Sequence, residues 1–555
     1  MTDRYSAADV FGCDPGNGFG YVSVLEDREA DPRPMFPPQY RLEKVGMPTT
    51  AYLTPPTGEP IEVFSREYGA GGAAERRHAD DPERLIPAVK TRLQEESVRV
   101  RGIEAPVEVD AIYAAIVRDL VSLANEQRRN MGKEPIYDLV FAYPALFADD
   151  LTLLNRMSRS IESVTLDGHP LHVVDRLPEP GAVAIDYLWY MQHLAPEEIR
   201  ITRDHFTVLV YDLGHGTFDT AIVTARSVGE PYQLLWKSSL PDVGGQDFDR
   251  VLAGEIGRVL REEHGYTPDN ALERERLRAS AVECKHELTD SDRSLRHIQL
   301  PGGRYANVTI TAERFEELGA PLLAQTLELM QTALQVAQER SIAIDAVVLS
   351  GGASQMPMVE KGLRQLVGDA IPVVLHRPGE AVSFGAARYA GGLNRKKKPA
   401  ETYSGPNSVS KDEEAETKGQ ALTPNTVLEQ FAEHAFGLRL PEAGRRDGVV
   451  RFLIPQGEKL PAQSGPIRVS SASDRVRIEL YRSEGSTPPG GEAEPQTCAS
   501  VMRIPFSVPA GTWCEVRLTA LEDGNLQVIC RTKDGTETVK STADPWEKLL
   551  ASEGE

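Results

Sequence analysis

The chain has 555 residues, of which 40% are hydrophobic and 26% are charged, and its formal net charge is −22. This length exceeds what one hydrophobic core supports, so we expect several domains, and the ordinary apolar fraction argues against a wholly disordered chain. The negative charge repels nucleic-acid phosphates, and no apolar run reaches the ~18 residues that cross a bilayer. We therefore expect a cytoplasmic protein that binds neither nucleic acid nor membrane.

The first 395 residues alternate apolar strand-like runs with amphipathic helices, which predicts an α/β domain. The clearest predicted elements are strands at Val10 to Asp14, Asp138 to Ala142, Phe206 to Leu213 and Ala346 to Ser350, and helices at Glu273 to Leu288 and Ala312 to Glu339. Residues 396–426 are mostly small and polar, which predicts a flexible linker. Residues 427–545 have short alternating segments between Gly, Pro and Asp-Gly turns, which predicts an antiparallel β-sandwich, and a short tail follows at 546–555.

Two glycine-rich turns, far apart in the sequence, share one plan. In FGCDPGNGFGYVSV, Asp14 ends a strand, and the turn Gly16-Asn17-Gly18 leads through Phe19 into the next strand. In LVYDLGHGTFDTAIV, Asp212 ends a strand, and the turn Gly214-His215-Gly216-Thr217 leads to Asp219. Glycines in such turns let backbone N–H groups approach an anion closely.

A third turn, in AVVLSGGASQMPMVEKGL, joins a strand to a helix through Gly351 and Gly352. Two hairpins can clasp the phosphates of a nucleotide from opposite sides, while Asp14 and Asp212 supply the oxygen ligands that a hydrated Mg²⁺ prefers. The alternative is that both aspartates only cap turns. The repeated motif favours the nucleotide site.

Several further segments extend this pattern to parts of the chain without obvious chemistry: LPEPGAVAIDYL, LPDVGGQDFDR, LRASAVECKHEL and GEAVSFGAARYAGG. With YDLGHGTFDTAIV, they resemble the DnaK-type (seventy-kilodalton heat-shock) chaperones over about residues 9 to 393. The resemblance implies an actin-like, two-lobed ATPase domain, a duplicated ribonuclease H-like fold that binds ATP or ADP with Mg²⁺ in the cleft between its lobes.

The resemblance also implies roles for individual residues. The implied catalytic residues are Asp212 as general base, Glu179, Asp219 and Thr217, and the implied metal ligands are Asp14 and Asp212. The implied nucleotide contacts are Gly16, Asn17, Gly18, Phe19, Gly214, His215, Gly216, Gly244, Gly245, Lys285, Thr289, Gly351, Gly352 and Ala353.

The chain departs from the family pattern in the first turn and in the segment that carries the catalytic lysine. Asn17 and Gly18 stand where the family has two threonines. Glu75 aligns with the family's lysine, although Arg76 or Arg77 is an alternative cation. Two unit charges about 4 Å apart interact by ~4 kcal/mol at an effective dielectric constant of about 20. Replacing a cation by an anion beside the triphosphate would therefore cost several kcal/mol, which predicts slow hydrolysis or none.

Two further departures concern the second and third turns. Gln355 replaces an arginine that stacks on the base. His215 replaces a glycine, and its side chain either points away from the nucleotide or makes a pH-sensitive phosphate contact.

The C-terminal segments AFGLRL, SASDRVRIELYR and LEDGNLQVICRTKDGTETVK resemble the family's peptide-binding β-sandwich. By position, Leu438, Val469, Val476 and Ile478 correspond to pocket residues, and the alternative is that they fill the sandwich core. The family's apolar interdomain linker corresponds to the half-polar TVLEQ, and the helical lid has no counterpart before Glu555. We therefore expect weak coupling to the ATP state and fast peptide exchange.

Three functions remain open. The leading one is a DnaK-like chaperone whose binding of unfolded or extended client polypeptides is regulated by ATP, with J-domain and nucleotide-exchange co-chaperones as candidate partners. The second is a pseudo-ATPase scaffold with impaired hydrolysis. The third is an actin-like filament-forming ATPase, because Asp-x-Gly-Asn-Gly also resembles the first loop of plasmid-segregating actins.

Overall fold

The computed structural model describes residues 9–27, 30–35, 46–53, 62–63, 82–193, 205–225, 231–392, 428–429, 435–442, 445–455, 458–470, 475–483, 492–493, 495–508, 512–521 and 526–541. The chain forms two compact units, a larger one drawn from residues up to Leu428 and a smaller one drawn mainly from Glu429 onward. The expected linker at 396–426, the tail at 546–555 and Glu75, Arg76 and Arg77 lie outside the described residues.

The described helices alternate with strands over the first 392 residues. They are α1 (Val89–Arg92), α2 (Val109–Asn130), α3 (Leu151–Glu162), α4 (Glu179–His193), α5 (Gly245–His264), α6 (Ala271–Asp290), α7 (Ala312–Glu339), α8 (Pro357–Val367) and α9 (Ala381–Gly392). Within this part of the chain, no helix is long and apolar enough to cross a membrane.

The strands up to residue 429 include the four predicted from the sequence. They are β1 (Val10–Asp14), β2 (Phe19–Val24), β3 (Arg33–Pro34), β4 (Met47–Pro48), β5 (Ala51–Tyr52), β6 (Glu62–Val63), β7 (Leu85–Ile86), β8 (Ser97–Val98), β9 (Val107–Glu108), β10 (Asp138–Tyr143), β11 (Thr165–Leu166), β12 (His169–Pro170), β13 (His172–Pro178), β14 (Phe206–Leu213), β15 (Phe218–Ala225), β16 (Tyr232–Leu240), β17 (Arg293–Gln299), β18 (Tyr305–Thr311), β19 (Ala346–Ser350), β20 (Val373–Leu375) and β21 (Leu428–Glu429). The α/β class and the predicted strands and helices are confirmed, with end shifts of one or two residues for β10 and α6.

Two mixed sheets of the larger unit repeat one plan. One sheet has the order β13-β10-β1-β2-β3, and the other contains the order β20-β19-β14-β15-β16. In each, a central strand (β1 or β14) pairs antiparallel with the next strand and parallel with a distant one (β10 or β19). Ligands bind beyond the carboxyl ends of parallel strands, and Asp14, Glu179, Asp212 and Gly351 all lie at or just after such ends.

A buried charge cluster ties α4 to α9. Arg388 is fully buried, and its Nε donates to Asp186 Oδ1 at 2.8 Å. His376 Nε2 lies 2.8 Å from the other oxygen of Asp186. The Arg388 guanidinium also stacks 3.5 Å from the Trp189 ring centroid and donates to Asp31 at 2.7 Å. A charge buried this deeply is tolerated because it is paired and hydrogen-bonded.

The smaller unit is formed by antiparallel strands. They are β22 (Phe436–Glu442), β23 (Arg445–Ile454), β24 (Ala462–Gln463), β25 (Ile467–Ser470), β26 (Arg475–Ser483), β27 (Glu492–Ala493), β28 (Cys498–Ser507), β29 (Trp513–Ala520), β30 (Leu526–Thr532) and β31 (Glu537–Ser541). One sheet has the order β27-β23-β22-β26-β28, and the other has β24-β29-β30-β31 with β25 on β29. Side chains from both sheets, such as Ile478 and Val516, share one buried core.

Candidate nucleotide-binding site

The first turn, between β1 and β2, is held by a neighbouring segment. The hydroxyl of Thr49 donates to the carbonyl of Gly16 at 2.6 Å, and its backbone N–H donates to the carbonyl of Gly18 at 3.1 Å. A Cβ at Gly16 would lie 2.3 Å from the Phe19 carbonyl oxygen, so this turn closes only with glycine there.

The second turn, between β14 and β15, is hydrogen-bonded to the amino end of α5. Asp212 and Asp219 face each other in the β14–β15 register. The N–H of Gly245 donates to the carbonyl of Gly214 at 2.9 Å, and the N–H of Gly244 donates to the Asp247 carboxylate at 2.8 Å. The amides of Gly244 and Gly245 are therefore engaged within the protein, and their phosphate contacts stay predictions.

The third turn follows β19 and lies against the second. Gly351 has a φ of +80°, and a Cβ on it would lie 2.3 Å from the Leu213 carbonyl oxygen and 2.6 Å from Asp212 Oδ1. Only glycine fits this backbone conformation and this close approach. Gly352, by contrast, is exposed and faces open space, and Gln355 Nε2 donates to its carbonyl at 3.2 Å.

The first and second turns touch each other, although they belong to different sheets. A Cβ on Gly18 would lie 2.8 Å from Cγ of His215, and a Cβ on Gly216 would lie 3.0 Å from Nδ2 of Asn17. The three glycine turns predicted from the sequence therefore converge on one region of the larger unit.

Lys90 on α1 lies among the carboxylates of this region. Its side chain is 2% exposed, its Nζ is 3.3 Å from Asp14 Oδ1, and it forms a hydrogen-bonded ion pair with Glu179. The sequence placed Glu75, which lies outside the described residues, at the family's lysine position, and Lys90 was not among the predicted site residues. In the structure, Lys90 supplies a buried cation beside these carboxylates.

The carboxylates here exceed the positive charge near them. Burial, reinforced by Glu179, raises the pKa of Asp14 to about 6, although Lys90 opposes the shift. Burial raises the pKa of Asp212 well above its usual value, and the carboxylates of Glu179, Asp219 and Asp14 add to the effect. This excess of negative charge would be relieved by a further cation.

Asp219 is buried and held by several donors. Its Oδ1 accepts the backbone N–H of Ala145 at 2.6 Å. Burial and Glu179 raise its pKa to about 7, whereas hydrogen bonds with Ser239 and Thr217 lower it. Thr217 is itself buried, and its hydroxyl is hydrogen-bonded to this carboxylate.

The residues matched to adenosine contacts lie along α6 and beside the third turn. Lys285 is buried, and its Nζ donates to the carbonyl of Gly245 at 2.9 Å and pairs with Asp249 at 2.7 Å. Thr289 donates its hydroxyl back to the Lys285 carbonyl at 3.1 Å. A Cβ on Gly245 would lie 3.3 Å from the Ala353 Cβ, so α6 and the third turn meet at α5.

Two residues of the site were missed by the sequence analysis, Lys90 and Tyr113. Tyr113 on α2 is buried, and its hydroxyl has no hydrogen-bond partner within the described ranges. Burial raises its pKa well above the usual value, with contributions from Cys13, Asp14 and Glu179. Tyr113 therefore lies near the carboxylates of Asp14 and Glu179.

The donor set suits a magnesium ion that keeps most of its waters. Over the described residues, no group of three or more His, Cys, Asp or Glu side chains could enclose a metal by itself. Mg²⁺ is typically held by one or two carboxylates, waters and substrate phosphates, and Asp14 and Asp212 provide such carboxylates.

The four residues matched to a peptide pocket lie in the smaller unit. Leu438, Val476 and Ile478 are buried in its shared core, and Val469 is partly buried against that core. Three of the four therefore fill the core of the sandwich, and contact of the four with peptide stays a prediction.

The sequence is similar to one family of known proteins. The family model described as Hsp70 protein matches residues 75–402. The chain belongs to the Hsp70 family. The Chaperone protein DnaK sequences of Thermotoga petrophila, Thermotoga sp. strain RQ2 and Thermotoga maritima are each 28% identical over 432 residues, which are 76% of this chain.

The match spans 63% of the length of these DnaK relatives. The Hsp70 family has actin-like ATPase lobes, and the duplicated sheet plan of the larger unit is consistent with that fold. Membership supports a chaperone-type function at the level of the family.

Proposed function

We propose that this Hsp70 protein is a chaperone in which Mg-ATP and Mg-ADP, bound at the three glycine turns, control the binding of extended client polypeptides by the smaller unit. The observation that carries the proposal is the convergence of three glycine turns on one region that also holds buried carboxylates and the Lys90 ammonium. Family membership adds the client class, the cytoplasmic location, and J-domain and nucleotide-exchange co-chaperones as partners.

The proposed chemistry divides the site residues by charge. Asp14 and Asp212 would hold the hydrated Mg²⁺, which neutralises phosphate charge when bound. Asp212 would also act as the general base that takes a proton from the attacking water, because it lies at the end of β14 beside the third turn. Lys90 would stabilise the negative charge that develops on the transferred phosphoryl group, and its pairing with Glu179 holds the ammonium in place.

Peptide binding would use the smaller unit. An extended peptide gains main-chain hydrogen bonds at a strand edge, and apolar side chains enter pockets. Val469 on β25 is only partly buried, so it is the most accessible of the four matched residues. Its neighbour Ile467 is also partly buried and offers a matched control.

The direct test measures the affinity of a fluorescently labelled, extended apolar peptide by anisotropy with Mg-ATP and with Mg-ADP. We expect weaker binding with Mg-ATP, and we expect Val469→Ser to lower the affinity about tenfold while Ile467→Ser has a smaller effect. Equal affinity in both nucleotide states would contradict nucleotide control. Equal effects of the two substitutions would contradict the pocket.

A pseudo-ATPase scaffold remains the second candidate, because Asn17 and Gly18 lack the two hydroxyl groups of the family's first turn. Its stronger support was the missing lysine, and Lys90 removes that argument. Single-turnover assays separate the two functions, since a scaffold would bind Mg-ATP without converting it to ADP.

A further inference from the structure

The contact between the first and second turns is reciprocal. Gly18 of the first turn faces the imidazole of His215, with Cγ at 2.8 Å and Nδ1 at 3.0 Å from where its Cβ would stand. Gly216 of the second turn faces the carboxamide of Asn17, with Nδ2 at 3.0 Å from its would-be Cβ. Each turn thus offers one side chain and one glycine, and each side chain occupies the space that the opposite glycine leaves.

One hydrogen bond connects this contact to the segment that contains Lys90. Asn17 Oδ1 accepts the backbone N–H of Thr91 at 3.1 Å, and Thr91 follows Lys90 on α1. The first turn, the second turn and the α1 segment are therefore connected on the side of the site where the phosphates are proposed to bind.

The imidazole can pack on a glycine backbone because it is uncharged at neutral pH. Burial, together with the nearby cations Lys285, Arg278 and Arg250, lowers the pKa of His215 to about 4, whereas Asp249 opposes this shift. A neutral ring avoids the cost of burying a charge against the backbone of Gly18.

We propose that His215 is a positioning residue that interlocks the two phosphate turns through Gly18, so that both turns close on a bound nucleoside diphosphate together and release it together. This inference rests on the proposed function, since it assigns the nucleotide to these turns. It also explains two departures from the family pattern as one: the second turn gained a side chain where the first turn lost one.

The interlock is tested first without nucleotide, by thermal unfolding of the full chain. Gly18→Ser should lower the Tm by about 3 to 8 °C, because its Cβ overlaps the ring of His215. Gly214→Ser is the steric control, since a Cβ there would meet only the Thr217 carbonyl at 3.5 Å, and should shift the Tm by no more than about 1 °C. The double variant Gly18→Ser/His215→Gly should recover at least half of the loss.

The second measurement follows the release of a fluorescent ADP analogue by stopped flow. His215→Gly should speed release about tenfold with a smaller change in association, because interface changes act mainly on dissociation. Gly18→Ser/His215→Gly should release the analogue at the rate of His215→Gly alone. Equal Tm losses from Gly18→Ser with and without His215, or release unchanged in His215→Gly, would overturn the interlock. Wild-type protein that does not bind the analogue would instead overturn the proposed function, while the unfolding data would still report on the interlock.

Discussion

Removing the Lys90 ammonium is the sharpest perturbation that this structure offers. The side chain is 2% exposed, and its Nζ lies 3.3 Å from Asp14 while also pairing with Glu179. Unit charges at that distance interact by about 5 kcal/mol at an effective dielectric constant of about 20. Because the carboxylates stay buried when the lysine is removed, Lys90→Met should destabilise the full chain by about 3 to 5 kcal/mol.

The loss should depend on pH in a defined direction. The pKa of Asp14, about 6, lies above its ordinary value of 3.8, so folded protein holds a proton that unfolded protein releases between these values. Without Lys90 this pKa rises further, and the stability of the variant falls more steeply as pH rises. The difference between wild type and Lys90→Met should therefore be larger at pH 8 than at pH 5.

Denaturant unfolding of both proteins at the two pH values measures this difference, and single-turnover assays measure hydrolysis, which should fall about 100- to 1000-fold. Lys361→Met is the control, because Lys361 is 62% exposed and its pair with Glu316 should contribute less than about 1 kcal/mol. Equal losses from the two substitutions, or a Lys90→Met loss that shrinks at pH 8, would refute the reasoning. Glu75→Lys should leave hydrolysis unchanged.

Three further outcomes follow from buried groups. Gly351→Ala should abolish Mg-ADP binding in calorimetry and lower the free energy of unfolding by about 2 kcal/mol or more, because the φ of Gly351 is +80°. The control Gly352→Ala should change the free energy of unfolding by no more than about 0.5 kcal/mol. Equal losses in the two variants would contradict the close approach of Gly351 to Leu213 and Asp212. Asp186→Asn should cost about 3 to 5 kcal/mol in denaturant unfolding, because it removes the buried carboxylate charge that pairs with the Arg388 Nε and leaves the partly exposed Asp31 as the other acidic partner of Arg388. Burial raises the pKa of Asp186, but its hydrogen bond with His376 and the nearby arginines lower it overall. The cost of Asp186→Asn should therefore stay constant from pH 8 to 5 and shrink only in stronger acid. A cost that already shrinks at pH 6 would count against the pairing. Tyr113→Phe should leave the Tm unchanged or higher, because the lost hydroxyl has no partner in the described part of the chain, and a fall of several degrees would show that it has one.

Much of the fold follows from local sequence patterns. The strands Val10–Asp14, Phe206–Leu213 and Ala346–Ser350 are mostly apolar runs that end at Asp14 or just before a glycine, and such runs are typical of buried strands. The helix Ala312–Glu339 also agrees with its sequence, because Thr311 caps its amino end and accepts a hydrogen bond from the Arg314 N–H.

The residues that the sequence did not predict depend on contacts across long separations. Lys90 is separated from Asp14 by 76 positions, and the alignment through the intervening segment pointed to Glu75 instead. The contact between His215 and Gly18 was indicated in part by the sequence. Compared with the family pattern, the first turn has a glycine in place of a side chain, and the second turn has a side chain in place of a glycine. That signal becomes an inference only when the two turns are known to touch.

The buried pair of Asp186 and Arg388 also had a signal. Each is a single charge within an apolar helix, AVAIDYLWY and GAARYAGG, and unpaired charges are rarely buried. Two such helices in one domain favour an ion pair between them. The partner and the geometry still required the structure, because composition does not specify which helices pack together.

Calorimetric titration of the full chain with Mg-ADP tests the central claim most directly, with Asp14→Asn/Asp212→Asn as the comparison. The account predicts one site per chain in the wild type, binding that requires Mg²⁺, and a loss of at least tenfold in affinity for the double variant. No binding heat in folded wild-type protein, or equal affinity in the variant, would contradict the convergence of these turns and carboxylates on a magnesium nucleotide.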